Sequence, residues 1–535
     1  MKRNRAFIYL PIAFALIFIV GIELGKFTGR NNVKRGRNSH ADKISSVLDY
    51  VQDQYVDTIN REKLVDKTIA DMLQELDPHS AYMTADERKR MNEPLEGNFE
   101  GVGIEFNIIS DTIRIMNVVA GGPSENAGLL AGDRIVSVDD KAFTGKTSTN
   151  NTVLKTLRGK SGTKVKLGIK RLGAKKISAF MITRGTIPIY SIDAAYMLKN
   201  DLGYIKLSRF AATSYDEYIQ AFNKLRKQGM QKMILDLRGN GGGYLNIAVA
   251  LADEFLAKGK MIVYTKGRAV RHGGEKFIAT SDGEFEKNTL VLLIDENSAS
   301  ASEIIAGAIQ DNDRGVIVGR RSFGKGLVQQ ERELSDGSAF RLTIARYYTP
   351  SGRCIQRPYT KGSEEYYQEE YDRFKKGELE NADSIKFSDS LKFRTPKGKI
   401  VYGGGGIMPD VFVPLDTTER NHDVNELLFN GLVKDFALEY SDSRRIQLRK
   451  EGFDAFNRSF DGTSILPMLL EYAGKHGHPV LKTGSPGNQA FLVNYLKATI
   501  ARIIWDEEHF YIIYNSRDKT LMRAVEEAEK GIPQP

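Results

Sequence analysis

The sequence predicts an α/β core with a β-rich domain inserted ahead of it, helical segments at both ends and one apolar helix at the N-terminus. Three observations carry this. Met233 to Leu237 and Leu290 to Ile294 are unbroken apolar runs, each followed by a Gly- or Ser-rich turn and a helical pattern, as in a largely parallel sheet covered on both faces. Residues 95–185 change to short alternating strands ("GVGIEFNIIS", "TIRIMNVV", "DRIVSVDD", "TKVKLGIKRL") between Gly-rich turns. A chain of 535 residues also exceeds one core and suggests about three domains.

From the N-terminus, residues 1–30 read as a transmembrane anchor with basic flanks. Lys2, Arg3 and Arg5 precede an apolar run from Ala6 to Ile22, near the lower limit for a bilayer span, and no small-x-small cleavage site follows. Lys26, Arg30, Lys34, Arg35 and Arg37 put more positive charge after the run than before it, so a charge count alone keeps that side cytoplasmic. Residues 31–40 are a polar, basic linker. Residues 41–94 form a helical element with Val47, Leu48, Val51 and Tyr55 on one stripe, stopped at "LDPHS" by Pro78. The β-rich domain at 95–185 contains one short helix near "NNTVLKTLRG". The core at 186–415 is closed by "GGGGIMPDVFVPL", and 416–535 is mostly helical, with "QAFLVNYLKATIARIIW" its clearest amphipathic stretch.

Composition narrows the function. The net charge of +9, from 77 basic against 68 acidic residues, is diluted over a large surface and gives no footprint for nucleic acid. Cys354 is the single cysteine, so no internal disulfide forms, and of the seven His only the loop pair His476 and His478 has close spacing, which is too little for a metal. No cofactor is expected.

"GRRSFGKGLVQ" at 319–329 is nearly a phosphate-binding loop, but Gly326 stands where Ser or Thr would ligate magnesium, and a hairpin pattern around "SDG" follows where such a loop needs a helix. "RGNGGGY" has Tyr244 where a dinucleotide fingerprint needs a small residue. In "DENSASASEIIAGAIQ", Ser298, Ser300 and Ser302 lie where a buried strand gives way to a helix, a junction that exposes a side chain and points amides outward. Taken alone, Ser300 with Glu303 reads as a capping box. A nucleophilic serine needs a base. No Gly-x-Ser-x-Gly elbow is present and no His lies nearby in sequence, whereas a lysine serves if burial keeps its amine neutral. Lys325, between "RGVIVG" and the hairpin, is the candidate, with Gln329 able to orient it if the strand is locally irregular.

The segment "NSASASEIIAGAIQDNDRGVIVGRRSFGKGLVQ" closely resembles the active-site segment of the carboxy-terminal processing (tail-specific) proteases, and "LDPHSAYM", "GNFEGVGIEF", "LDLRGNGGG", "YYTPSGRCIQ" and "GIMPDVFV" extend the resemblance over roughly residues 40–415. It implies a crotonase/Clp-protease-like α/β core, Ser300 as nucleophile, Lys325 as general base 25 residues on and Gln329 as its partner. It further implies that "EGVGIEF" and "GGPSENAGLLAGDRIVSVDD" belong to a PDZ domain that binds chain termini by strand addition, the loop amides of Gly101, Val102, Gly103 and Ile104 holding the carboxylate. Arg158 is a candidate link from that domain to the catalytic site. For the oxyanion, the amide of Ala301 and one from Gly241 or Gly242 are the candidate donors. Cys354 stands where the family pattern leads one to expect a small polar residue and has no evident His partner.

The resulting expectation is a serine endopeptidase that takes protein substrates by their C-termini, held in the inner membrane by its N-terminal helix with the catalytic part in the periplasm or envelope. A catalytically silent PDZ adaptor and a nucleotide-dependent enzyme built on the Lys325 loop are the alternatives. The intact Ser300, Lys325 and Gln329 oppose the first, the hairpin the second.

Overall fold

The unbroken apolar runs become the centre of a six-stranded sheet in the computed structural model, which describes residues 15, 17–23, 39–109, 111–145, 148–268, 274–280, 283–478 and 484–531. The expected span at Ala6 to Ile22 lies mostly outside the described residues; among those described, no helix is long and apolar enough to cross a membrane. Residues 1–73 and 74–535 form two compact units. In the first, helix α1 (Ser39–Gln54) is separated from α2 (Arg61–Gln74) by "YVDTIN". Of the apolar stripe read there, Leu48 and Val51 are half-buried, while Val47 and Tyr55 are both 57% exposed.

The second unit opens with β1 (Ala81–Met83) and α3 (Ala85–Glu96), so the single helical element expected over 41–94 is instead three helices and a strand. Strand β2 (Asn98–Gly101) leads into the PDZ domain, built from β3 (Ile104–Ile109), β4 (Thr112–Val118), α4 (Pro123–Asn126), β5 (Arg134–Val138), β6 (Lys141–Ala142), α5 (Asn150–Leu157), β7 (Lys164–Lys170) and β8 (Ser178–Thr183). Its sheet runs β3-β4-β5-β7-β8, with β6 on β5, around a core that includes Ile113, Ile135, Leu167 and Val153. Strand β9 (Gly185–Pro188) returns antiparallel to β2, so the inserted domain leaves and rejoins the chain through one short ladder.

The α/β core follows with β10 (Ile192–Lys199), β11 (Leu202–Leu207), α6 (Ser214–Lys227), β12 (Lys232–Asp236), α7 (Leu245–Asp253), β13 (Met261–Lys266), β14 (Lys276–Ile278), β15 (Thr289–Ile294), α8 (Ala301–Asp311), β16 (Val316–Gly319), β17 (Leu327–Glu333) and β18 (Ala339–Tyr348). After α9 (Ser363–Lys375), β19 (Lys392–Arg394) and β20 (Ile400–Tyr402), β21 (Val411–Phe412) completes the main sheet in the order β10-β11-β12-β15-β16-β21, parallel from β11 onward. A second sheet, β1-β18-β13-β14 with β17 on β18, lies beside it.

One face of the main sheet is covered by α6, α7 and α8 through Phe222, Leu251 and Ile305. The other is covered from the C-terminal segment, which runs through α10 (His422–Phe429), α11 (Leu432–Glu451), α12 (Phe453–Ser459), α13 (Gly462–Lys475), α14 (Pro486–Ile504), α15 (Glu507–Tyr514) and α16 (Lys519–Lys530). Leu521, Ala524 and Ala528 of α16 pack on Ile234, Val291 and Leu293 of the central strands. The last helix is therefore the back layer of the α/β core. Helices α10–α14 build a separate cluster around Phe436, Leu469 and Leu496.

Candidate active site

At the end of β15 the chain turns sharply into α8, and Ser300 occupies the N-cap position with φ 53° and ψ −111°. The other described non-glycine residues with positive φ are all aspartates, which tolerate that region through local hydrogen bonding; Ser300 is the exception. Such a conformation persists only where its surroundings hold it. Three contacts do so: the Ser300 amide donates to Glu303 Oε2 (2.9 Å), the Ala299 amide to the Asn240 carbonyl (3.0 Å), and Gly242 packs directly behind. A Cβ on Gly242, whose φ is +104°, would lie 2.8 Å from Ser300 Cβ. Only glycine fits there.

Glu303 does more than cap the helix. Its fully buried carboxylate accepts from Ser300 N and Lys325 N on Oε2 (both 2.9 Å), and from Gly324 N (2.7 Å) and Ser322 Oγ (2.5 Å) on Oε1. One side chain thus ties the serine segment to the lysine segment. Burial pushes its carboxyl up to about 7, with the four donors pulling against it. Because that carboxylate takes the amides of Gly324 and Lys325, while Gln356 Oε1 takes that of Gly326, the loop has no amide cradle left for a phosphate, and the strand β17 follows it where a nucleotide loop needs a helix.

The Lys325 side chain points instead to Gln329, Nζ donating to Oε1 at 3.0 Å. Lys325 lies in the loop just before β17, whose register with β18 shifts between Val328 and Gln329, and this irregularity lets Gln329 meet a residue four positions before it. Gln329 is held in turn, Nε2 donating to the His79 carbonyl at 2.5 Å. Burial holds the Lys325 amine below its ordinary pKa, and the nearby Arg341 cation adds to this. Among the described residues no carboxylate forms an ion pair with it. Among the described residues His79 is the one histidine close by, but its ring faces the Tyr366 hydroxyl (2.9 Å) and burial, then the Lys325 charge, drops its pKa to about 4. Its backbone carbonyl is the atom that serves the site. Asp77 fixes that turn by accepting from the amides of His79 and Ser80 (2.8 Å each).

Ser300, Lys325, Gln329, Gly241, Gly242 and Tyr347 line a single cleft of about 530 Å³. The Tyr347 hydroxyl lies within hydrogen-bond reach of the Ser300 and Lys325 carbonyls. Ala301 occupies the first turn of α8, where its amide has no intrahelical acceptor. Of the two glycines, Gly242 has its amide on Asn240 Oδ1 (2.9 Å), whereas the amide of Gly241 has no backbone acceptor among the described residues. Ser298 is buried and bonded to the Leu237 carbonyl, and Cys354, whose thiol burial pushes up, is not among the cleft residues. Among the described residues no group of three or more His, Cys, Asp or Glu is placed to hold a metal.

In the inserted domain β3 is an edge strand that pairs with β4 alone, leaving its other edge open among the described residues. Gly101 ends β2; Val102 and Gly103 follow it, their amides without a backbone partner among the described residues, and Ile104 begins β3. Arg158, at the end of α5, pairs with the buried Glu93 of α3 and stacks over Phe99 at 4.9 Å. Asn92 and Leu95 of the same helix line the cleft, so Arg158 joins the PDZ domain to an element of the cleft wall.

Sequence reasoning missed the wider reach of Glu303, and the parts played by His79, Asp77 and Tyr347. For the first pair the signal was present, since "LDPHS" is one of the motifs carrying the resemblance.

Profiles of known families fall on these domains. Peptidase family S41 matches residues 201–363, the PDZ domain 101–179, the activating protease CtpB N-terminal domain 22–87, and a family of unknown function 424–506. The carboxy-terminal-processing protease of Bartonella bacilliformis is 37% identical over 318 residues, covering 59% of this chain and 72% of its own. Carboxy-terminal processing protease CtpA of Bacillus subtilis is 32% identical over 364 residues, 67% of this chain and 76% of its own. Among solved structures, the photosystem II D1 C-terminal processing protease is 26% identical, with 71% of this chain and 94% of that one covered at a TM-score of 0.35. With more than two thirds of both curated relatives covered at above 30% identity, the chain belongs to the carboxy-terminal processing proteases, serine-type peptidases of family S41 with a PDZ domain.

Proposed function

We propose that Ser300 is the nucleophile of an endopeptidase, that neutral Lys325 is its general base, and that Gln329 holds the amine in place. Lys325 Nζ takes the Ser300 Oγ proton as Oγ attacks the scissile carbonyl carbon. The oxyanion that forms is met by the amides of Ala301 and Gly241, donors fixed before the reaction begins. The lysine then gives its proton to the leaving amine; water, deprotonated in turn by the Lys325 amine, attacks the acyl carbon, and that proton passes to Ser300 Oγ as the acid is released. The observation that carries this reading is the desolvated Lys325 amine, bonded to a neutral amide with no carboxylate partner, in the cleft that Ser300 lines.

On the same reading, substrates arrive by their C-termini. A peptide adds a strand to the open edge of β3 and its carboxylate sits on the amides of Gly101 to Ile104. The pair Arg158–Glu93 connects that event to α3 and the cleft wall. The test is cleavage of an unfolded protein by the full chain, with a free and then an amidated C-terminus. Ser300→Ala should be inactive, and amidation should raise KM with kcat nearly unchanged. An active Ser300→Ala protein defeats the nucleophile; indifference to amidation defeats the C-terminal recognition.

We further place the chain in the inner membrane through its N-terminal apolar run, with the part after residue 40 in the periplasm. The run's length supports the span, and the resemblance to processing proteases supports export against the charge count, which is a bias rather than a law. Protease added to cells with a permeabilised outer envelope should degrade that part; resistance would put it in the cytoplasm.

A further inference from the structure

Arg238 stands two residues past β12, at the start of the turn that presents Gly241. Its side chain folds back on the buried Asp236 (Nη2 to Oδ2 2.6 Å, Nε to Oδ1 3.0 Å), and its Nη1 reaches Asp518 Oδ2 at 2.7 Å. Asp236 also accepts from the Arg238 amide (2.9 Å), the Tyr204 hydroxyl (2.8 Å) and Lys206 Nζ (3.3 Å), while Lys206 Nζ donates to the Arg238 carbonyl. Two cations and two anions therefore balance in a largely buried group behind the turn. Asp518 comes from the segment just before α16, outside all four matched family regions.

Its two carboxylate oxygens have separate tasks. Oδ1 accepts from the Leu521 amide at 2.9 Å and caps α16; Oδ2 faces Arg238. The cap alone needs no charge, since Asn caps as well as Asp. The charge matters for Arg238, which without it leaves the group with one uncompensated cation. A shift there travels a short way. Gly239 N is held by Asp295 Oδ1 (2.9 Å), the Asn240 carbonyl receives Ala299 N (3.0 Å) and Ser302 Oγ (2.8 Å), and Gly242 abuts Ser300.

We infer that Asp518 is a positioning residue: from the C-terminal segment it sets, through Arg238, the turn that offers the Gly241 amide to the oxyanion. This rests on the reading of Ser300 as nucleophile and Gly241 as donor. It gives the C-terminal segment a part in turnover beyond packing against the sheet.

Asp518→Asn keeps the cap and removes the charge, and Asp518→Ser does the same with a smaller side chain should the amide disturb folding. Each should lower kcat about tenfold, a fraction of what full loss of a donor costs, with KM close to wild type and Tm lowered because Arg238 keeps its charge without its partner. Inhibition by a peptide boronate, whose tetrahedral adduct on Ser300 puts an oxygen at the donors, should weaken by the same factor. Leu521→Ala, in the same helix, should lower Tm and leave the kcat of the folded enzyme unchanged. Wild-type kcat in both Asp518 variants, or a fall in kcat with boronate affinity unchanged, overturns the inference. An inactive Ser300→Ala protein beside fully active Asp518 variants removes the role of Asp518 alone; an active Ser300→Ala protein removes the underlying reading as well.

Discussion

Replacing Glu303 with Gln separates the geometry of the site from its stability. The carboxylate is the shared acceptor for Ser300 N, Lys325 N, Gly324 N and Ser322 Oγ. A Gln has one oxygen for four donors, so its amide group must face one pair. Ser322 can turn its hydroxyl to accept, but the Gly324 amide cannot, and a buried donor left unmade costs about 1–3 kcal/mol. Against this stands the cost of the buried charge: a carboxyl lifted from 4.5 to about 7 leaves the fold roughly 3 kcal/mol worse off at neutral pH than a neutral group would. The two effects nearly cancel, so Tm should move by no more than about 3 °C. Activity has no such compensation, because the Gly324 amide, next to the base, loses its acceptor and meets an amide group in its place, which pushes the Lys325 segment away from the serine segment. An ångström of misplacement costs about a hundredfold, and Glu303→Gln should lose at least that in kcat. Hydrolysis of an unfolded protein, measured beside a thermal melt, checks it. Wild-type turnover in a folded Glu303→Gln protein would refute the reasoning.

Activity should rise with pH through neutrality, since below about 7 the Glu303 carboxyl gains a proton that faces a donor, and the lowered pKa of the buried Lys325 amine adds to the neutral base as pH rises; a flat profile from pH 6 to 9 would contradict both assignments. Lys325→Met should be inactive yet more heat-stable near pH 7. The folded pKa of Lys325 lies below its unfolded value, so the lysine penalises the fold at neutral pH and the penalty fades as pH rises toward 10.5, where the melting points of the two proteins should converge. Gly242→Ala forces a side chain to φ +104° and to 2.8 Å from Ser300 Cβ; calorimetry should find it destabilised by about 1–3 kcal/mol, and assay should find it inactive.

The reactive segment was legible because Ser300, Lys325 and Gln329 fall within one strand-turn-helix and hairpin window, where spacing and the absence of a following helix already separate a base from a phosphate ligand. The alternation of 95–185 likewise gave the inserted domain, since period two survives in single strands. What was not legible depends on distant pairs. Glu303 reads as a cap because nothing in "SASE" shows that the amides of Gly324 and Lys325 close on the same carboxylate. His79 lies 250 residues from Gln329 and contributes a carbonyl, an atom every residue has. Gly241 and Gly242 are equivalent in sequence and differ only because Asn240 folds onto the second. The C-terminal segment was read as an extension because an amphipathic pattern tells that a helix has an apolar face, not that α16 lays it on Ile234 and Val291. The stripe of α1 shows the converse, with Val47 and Tyr55 left exposed.

Covalent capture tests the central claim most directly. Wild-type protein treated with a fluorophosphonate near pH 8 should carry one phosphonyl group, mapped by mass spectrometry to the peptide containing Ser300, and Lys325→Ala treated in the same way should carry almost none. Labelling of another residue, or equal labelling of Ser300 without Lys325, would contradict a serine activated by a neutral lysine.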